Sequence, residues 1–409
     1  MGFLPIITVA AVDSLCGDRG EVDFRCTGTN DERVINQAIE VAAREDKMVY
    51  LLNGTYQIDA FYDFGDGGPK AAICTPALHK EIAIIGQSFC FEKHHHGVQF
   101  YLSEAALDSI GDGEYSVIRT QWAERGLYSG ALLKMENISL ILAHNQKPVR
   151  GMDLRRCDRL ELKNIRVNAC GDKGDQSIEN YLWIPPVAVE GCIGITMTDG
   201  SNNFIVRYDN VVAIGCYEGI QVGGEHVVMT NCAAALCYYG YTFGNYEYHC
   251  GFNHPITMIN CCDERNVNLP LFNQCGDDDG AGHRLLGGQE VTMISFNIER
   301  TAKHTPGLRL GEVMRELHPG AFCGRIEYTL QPDWNHTNDP CVKLFENGCG
   351  RGFRVTNMTH KPICTTAERL RYYPALGEQI FDTDLNRLLI CVDADHVTWV
   401  DAYGTVVDR

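Results

Sequence analysis

A phrase recurs in the middle of this chain: a short strand of alternating apolar residues opened by glycine, a turn, and a second strand that ends in asparagine. It stands at Gly194-Ile-Thr-Met-Thr-Asp199, Gly219-Ile-Gln-Val-Gly-Gly224 and Gly240-Tyr-Thr-Phe-Gly-Asn245. The second strands are Phe204-Ile-Val-Arg-Tyr-Asp-Asn210, Val227-Val-Met-Thr-Asn231 and Pro255-Ile-Thr-Met-Ile-Asn260. Strands this short cannot bury a face alone, so a repeat of roughly twenty to thirty residues built from them predicts a solenoid in which each coil is covered by the next. Any chemistry must then sit on the coil surface.

A solenoid grows by adding coils, so 409 residues fit one elongated domain better than several globular ones. The formal charge of −18, from 35 Lys and Arg against 53 Asp and Glu, repels nucleic-acid phosphate and anionic membrane, and no basic patch offsets it. No apolar run approaches the roughly 20 residues of a membrane helix. The apolar N-terminus between Met1 and Asp13 lacks a basic start and is interrupted by Pro5, so a first strand is expected there rather than a signal peptide. The 19 cysteines include Cys192, Cys216, Cys232, Cys237, Cys261 and Cys262 at apolar strand positions, which predicts buried thiols rather than a disulfide framework. A cytoplasmic or phage-particle location is the corresponding expectation.

Residues 28–44 form one amphipathic helix with Asn30 as N-cap, Asp31 and Glu32 in the first turn, and Val34, Ile35, Ala38, Ile39 and Ala42 on one face. A strand, a tight Asn53-Gly54 turn and a second strand follow over residues 48–58. This string, from Thr29-Asn-Asp-Glu through Val49-Tyr-Leu-Leu-Asn-Gly-Thr-Tyr56, resembles the N-terminal cap and first coil of the pectate-lyase-like superfamily. The resemblance implies an all-β, right-handed parallel β-helix with an N-terminal capping helix. The expected organisation is an N-terminal strand segment at 1–28, the capped β-helix at 29–360 and a small C-terminal β appendage at 361–409. That last piece is similar to terminal segments of phage tail and fibre proteins. Asn137, Asn164, Asn210, Asn231 and Asn260 share one phase of the repeat, which predicts a stacked amide ladder in a turn.

Equal phases stack in columns about 4.8 Å apart. The turn after the first strand of each repeat therefore gathers Asp199, Glu225, His226, Glu247 and His249 on one edge, with Asp277-Asp-Asp279 beyond them. Asp199, Glu225 and Glu247 are the candidate catalytic carboxylates, because acids on neighbouring coils approach the spacing of a glycosidase pair. His226 and His249 are candidate proton or hydroxyl partners. Tyr217, Tyr239, Tyr246 and Tyr248 are candidate sugar platforms, with Trp183 in a nearby insertion, while Tyr241 falls in an inward phase. A second column superposes Glu264 on Glu299 and Arg265 on Arg300. Read as surface ion pairs it is structural; beside a cleft, Glu264 becomes a rival acid and Arg265 a carboxylate clamp. Asp277-Asp-Asp279 and His94-His-His96 lack metal-site spacing, so no metal and no cofactor are expected.

The resemblance implies carbohydrate as the ligand class. The paired aspartates, Gly-His-Gly and Arg-x-Lys of polygalacturonases do not appear, so that family's residues are not carried over. Basic residues are scarce between Asp199 and His283, where Arg207 and Arg265 stand, and this favours carboxylate chemistry of the glycoside hydrolase or fructan-transferase type over elimination. A trimeric, phage-tail-like glycan-binding fibre without catalysis is the alternative, and a polysaccharide lyase the third. An oligo- or polysaccharide and a homotrimer are the expected partners.

Overall fold

The computed structural model describes residues 5–14, 22–78, 80–89, 97–122, 131–143, 146–170, 188–196, 205–223, 226–243, 255–264, 266, 271–272, 289–299, 309–310, 322–331, 353–358, 362–371, 374, 378–393 and 397–407. Two long sheets run the length of the molecule, one of sixteen strands and one of eight, and every pairing within them is parallel except one isolated bridge between Tyr62 and Ala71. A coil contributes one strand to the eight-stranded sheet and either one long strand or two shorter ones to the sixteen-stranded sheet, so the architecture is the expected parallel β-helix. A single core fills the space between the sheets, with Ile118, Met152, Ile195, Ile220 and Tyr241 from the eight-stranded sheet facing Leu162, Val206 and Met229 from the other. Tyr241 takes the inward phase read from the sequence, and its hydroxyl donates to the carbonyls of Cys232 and Cys262, both at 3.1 Å.

The helix Asp31–Glu45 packs on the first coil through Ile35, Ala38, Ile39, Ala42 and Ala43. Its N-terminus departs from expectation. Asn30 is the N-cap residue but adopts a left-handed conformation and its side chain caps nothing. Asp31 does the work instead, accepting from the backbone N–H groups of Thr27, Gly28 and Gln57 at 3.1, 3.0 and 2.9 Å, so the buried carboxylate ties the helix to the loop before it and to the first coil. Asn53-Gly54 is a coil corner between two strands that pair with different neighbours. Met48–Leu51 pairs with Ile6–Ala10 and Lys80–Gly86, while Gly54–Ile58 pairs with Val98–Leu102.

The amide ladder forms. Asn137, Asn164, Asn210, Asn231 and Asn260 all have φ between 51° and 60°. Asn164 donates to Asn137, Asn210 to Asn164 and Asn260 to Asn231, each at 2.8 Å. Asparagine suits both demands, since its short amide tolerates the left-handed region and offers a donor and an acceptor to its neighbours. The ladder is interrupted once, where the Asn231 amide turns to Asp209 at 3.5 Å. Twelve described cysteines are free thiols, ten of them buried.

The repeating glycine has a steric cause. Ile193 pairs with Glu218 and Ile195 with Ile220, so the register skips Gly194 and Gly219. A Cβ at Gly219 would lie 2.6 Å from the Gly240 carbonyl oxygen and 3.1 Å from Cys237 Sγ. The glycine and the residue after it both face inward, bending the strand. Alternation resumes on either side and leaves two outward rows on the eight-stranded sheet.

A five-stranded sheet spanning residues 363–407 forms a separate small core of Cys364, Ile380, Leu389, Cys391 and Trp399. Beside it, Arg369 Nε donates to Asp382 at 2.8 Å, with both side chains buried.

Candidate functional site

The two outward rows of the eight-stranded sheet hold polar groups where a surface sheet would expose them, yet most are out of solvent. In the first row Ser116, Arg150, Ile193, Glu218 and Tyr239 stand in register on consecutive strands. In the second, Arg119 pairs with Asp153 and Gln221 with Thr242, with Thr196 between them in chain order. Ser116, Arg119, Asp153, Thr196, Gln221 and Thr242 are all buried.

Acids answer the arginines. Arg155 donates to Asp153 at 2.8 and 2.5 Å and to Glu114 at 2.6 Å, and Arg150 also donates to Glu114. Burial pushes the Glu114 carboxyl up, but the hydrogen bonds from Arg150 and Arg155 outweigh it and hold the group down at about 2. The Trp122 ring lies 5.2 Å from the guanidinium carbons of both Arg155 and Arg156. Some donors nevertheless lack acceptors among the described residues: Arg150 Nε and Nη1, Arg119 Nε, Trp122 Nε1 and the Ser116 hydroxyl. Orphaned buried donors cost about 1–3 kcal/mol each, so among the described residues this face holds more donors than acceptors.

Two strands from Arg150, about 10 Å along the stack, is Glu218. Burial pushes its carboxyl above the ordinary range, against the lowering effects of hydrogen bonding, including the Gln221 amide at 3.0 Å, and of the Arg150 charge. The Glu190 carboxylate adds to the upward push. Tyrosines flank this acid. The Tyr217 and Tyr238 rings stack at 4.8 Å with an interplanar angle of 9°, and Tyr239 stands edge-on to both at 6.1 and 4.8 Å. Burial, then the charge of Glu190, pushes the Tyr217 hydroxyl up to about 12, so it stays a proton donor at neutral pH. A carboxyl raised above its ordinary range, a second carboxylate and an aromatic platform with hydroxyl tips are the groups that proton donation to a leaving oxygen and the holding of a sugar ring require.

Of the residues singled out from the sequence, Asp199, Glu225, Glu247, Tyr246, Tyr248, His249, Arg265 and Trp183 lie outside the described residues. Tyr217 and Tyr239 are brought together, but at the start of their strands beside Glu218. His226 is exposed and follows the Glu218–Val222 strand, whose five residues span about 16 Å. Glu264 does pair with Glu299 as the alignment predicts, but on the sixteen-stranded sheet. The scarcity of basic residues between Asp199 and His283 does not extend along the face: Arg119, Arg150 and Arg155 stand on its earlier coils, which removes that argument against elimination. Sequence reasoning missed Glu218, Glu190 and Arg150. The signal for Glu218 was present, since it occupies the place before the repeat glycine where Ile193 and Tyr239 stand in adjacent coils.

Among the described residues, no group of three His, Cys, Asp or Glu is placed to hold a metal ion. No helix among them is long and apolar enough to cross a membrane. No family model matches the sequence, and no curated protein matches it. Among solved structures the chain is similar to the A-module of the mannuronan C-5 epimerase AlgE6 of Azotobacter vinelandii, at 13% identity and a TM-score of 0.37, over 80% of this chain and 90% of that one. It is also similar to the catalytic domain of a GH87 α-1,3-glucanase, at 10% identity and a TM-score of 0.27, over 79% of this chain and 66% of that one. A third likeness is to tailspike protein 3 of bacteriophage CBA120, at 11% identity and a TM-score of 0.19, over 91% of this chain and 67% of that one.

Proposed function

We propose that this protein is a carbohydrate-active enzyme that cleaves or transfers glycosidic bonds of an oligo- or polysaccharide lying along the outer rows of the eight-stranded sheet. Glu218 is the general acid, Glu190 the second carboxylate, and Tyr217, Tyr238 and Tyr239 the platform. The observation that carries the reading is Glu218: a carboxyl raised above its ordinary range beside a stacked tyrosine pair, on a face whose donors want acceptors. The test is a glycan panel scored for reducing-end release, with Glu218→Gln expected to lower turnover at least about 100-fold. A raised carboxyl destabilises the fold as pH rises through its folded pKa, so the same substitution should raise the melting temperature at neutral pH. Full turnover in Glu218→Gln on a confirmed substrate overturns the assignment. A rise in absorbance from an unsaturated product, in place of hydrolysis, moves the chemistry to elimination.

A trimeric glycan-binding fibre is the second reading, favoured by the five-stranded sheet. Its face opposite Trp399 carries Ile363, Phe381, Leu388, Ile390, Val400 and Val406, with Ile363 61% and Val406 58% exposed. Such a face suits assembly with further copies. Light scattering should give a trimer that Leu388→Asp dissociates; a monomer in the unaltered protein removes this reading.

A further inference from the structure

Residues 61–69 fold as a strap over the second outward row. One end is pinned: Tyr62 and Ala71 exchange backbone hydrogen bonds at 2.8 and 3.0 Å, and the Tyr62 hydroxyl donates to Glu32 at 2.7 Å. The middle contains Gly65 and Gly67, exposed, with φ of 72° and 73° and nothing within 4 Å of where a Cβ would stand. What holds this middle down is Asp66. Its carboxylate accepts from Arg119 Nη1 and Nη2 at 2.6 and 2.7 Å, from the Trp122 backbone N–H at 2.8 Å and from the Gly68 N–H at 3.0 Å. The Phe64 ring lies 5.3 Å from the same guanidinium.

A two-point guanidinium joined by a backbone N–H is the geometry with which proteins bind a free carboxylate or sulfate group. Here three of the four donors, the two from Arg119 and the one from Trp122, belong to the sheet side. Among the described residues, Arg119 Nε, Trp122 Nε1, Arg150 Nε and the Ser116 hydroxyl have no hydrogen-bond acceptor. We propose that Arg119 and the Trp122 N–H form an oxyanion site on the outer face, that Asp66 occupies it as a built-in surrogate, and that a ligand's carboxylate or sulfate group displaces the strap. The site is distinct from Glu218 and does not depend on catalysis there.

The experiment is hydrogen–deuterium exchange on the full chain with glucuronate, inorganic sulfate or glucose, at equal ionic strength made up with chloride. Glucuronate or sulfate should speed exchange of the Gly65 to Gly68 amides at least fivefold, and glucose should leave it unchanged; which of the two anions acts identifies the group the site prefers. Asp66→Asn should bind the active anion at least tenfold tighter than the unaltered protein, and Arg119→Gln should not bind it. If Asp66→Asn misfolds because Arg119 is left unpaired, the exchange measurement on the unaltered protein decides alone. Strap exchange that is the same with all three solutes overturns the proposal, as does an Asp66→Asn protein that folds without gaining affinity.

Discussion

The outer faces of the two long sheets obey the same alternation and differ in what they do with charge. On the sixteen-stranded sheet, Lys134, Glu136, Glu161 and Arg207 form a loose run of ion pairs at 3.0 to 4.0 Å, with side chains 26% to 57% exposed. On the eight-stranded sheet, the Arg119, Arg155 and Asp153 side chains are at most 4% exposed and paired at 2.5 to 2.8 Å. Solvated charges on a solenoid need no explanation. Covered ones do, because desolvation consumes most of what their attraction returns and well-packed apolar residues would serve stability as well. Keeping arginines, acids and orphan donors under cover is a cost that stability alone does not explain.

The comparison breaks most visibly at Asp153, which accepts two hydrogen bonds from the Arg155 side chain in a buried setting. Asp153→Ala should cost about 3–5 kcal/mol in denaturant unfolding, because it removes the buried partner of a buried guanidinium and leaves it only the partly exposed Glu114. A loss below about 1 kcal/mol would make the two faces energetically alike.

Next in size is the bend that sets the rows. Gly219→Ala places a methyl against the Gly240 carbonyl, a backbone atom that cannot step aside, and should cost about 1–3 kcal/mol. Because the bend aims Glu218 and Gln221 outward together, this variant should also lower turnover on a confirmed substrate. Stability lost without any change in turnover would separate the bend from the site.

The glycine of this bend shows what was legible in the sequence. Gly194, Gly219 and Gly240, the asparagines of the ladder and the inward Tyr241 are local consequences of a repeated corner, so one chain read in register exposes them. The site is not local in this sense. Arg119, Asp153 and Gln221 stand in an outward row, where alternation alone leads one to expect exposure; for Arg119, burial depends on a strap more than fifty residues earlier in the chain that brings Asp66 across. Asn30 stands at the N-cap as read from the sequence, but its side chain caps nothing, and the neighbouring Asp31 accepts instead from the first coil at Gln57. Glu218 was visible as an odd residue within a repeat, but its raised carboxyl comes from burial among side chains of other coils.

A smaller effect sharpens the comparison by pH. Glu114 has a folded pKa of about 2 against an ordinary value of 4.5, so its contribution is present above the ordinary carboxylate range and is lost as pH falls toward 2. The side chain is 43% exposed, and solvent screening limits the contribution to about 1 kcal/mol. Glu114→Gln should therefore destabilise at pH 7 and flatten the acid limb of the stability curve between about pH 4.5 and 2. An unchanged acid limb would show that Glu114 adds nothing to what Asp153 provides for Arg155.

The smallest effect is expected on the other sheet. Lys134 bonds Glu136 at 3.0 Å and reaches Glu161 only at 3.9 Å, and all three side chains are about 30% exposed. Pairs of this kind trade Coulomb attraction against side-chain entropy in a screening solvent, and their net contribution is about 0–1 kcal/mol. Lys134→Ala should change unfolding free energy by less than about 0.5 kcal/mol at moderate salt, and that difference should vanish as salt is raised. A loss as large as that of Asp153→Ala would mean that the exposed run is as tightly coupled as the covered one.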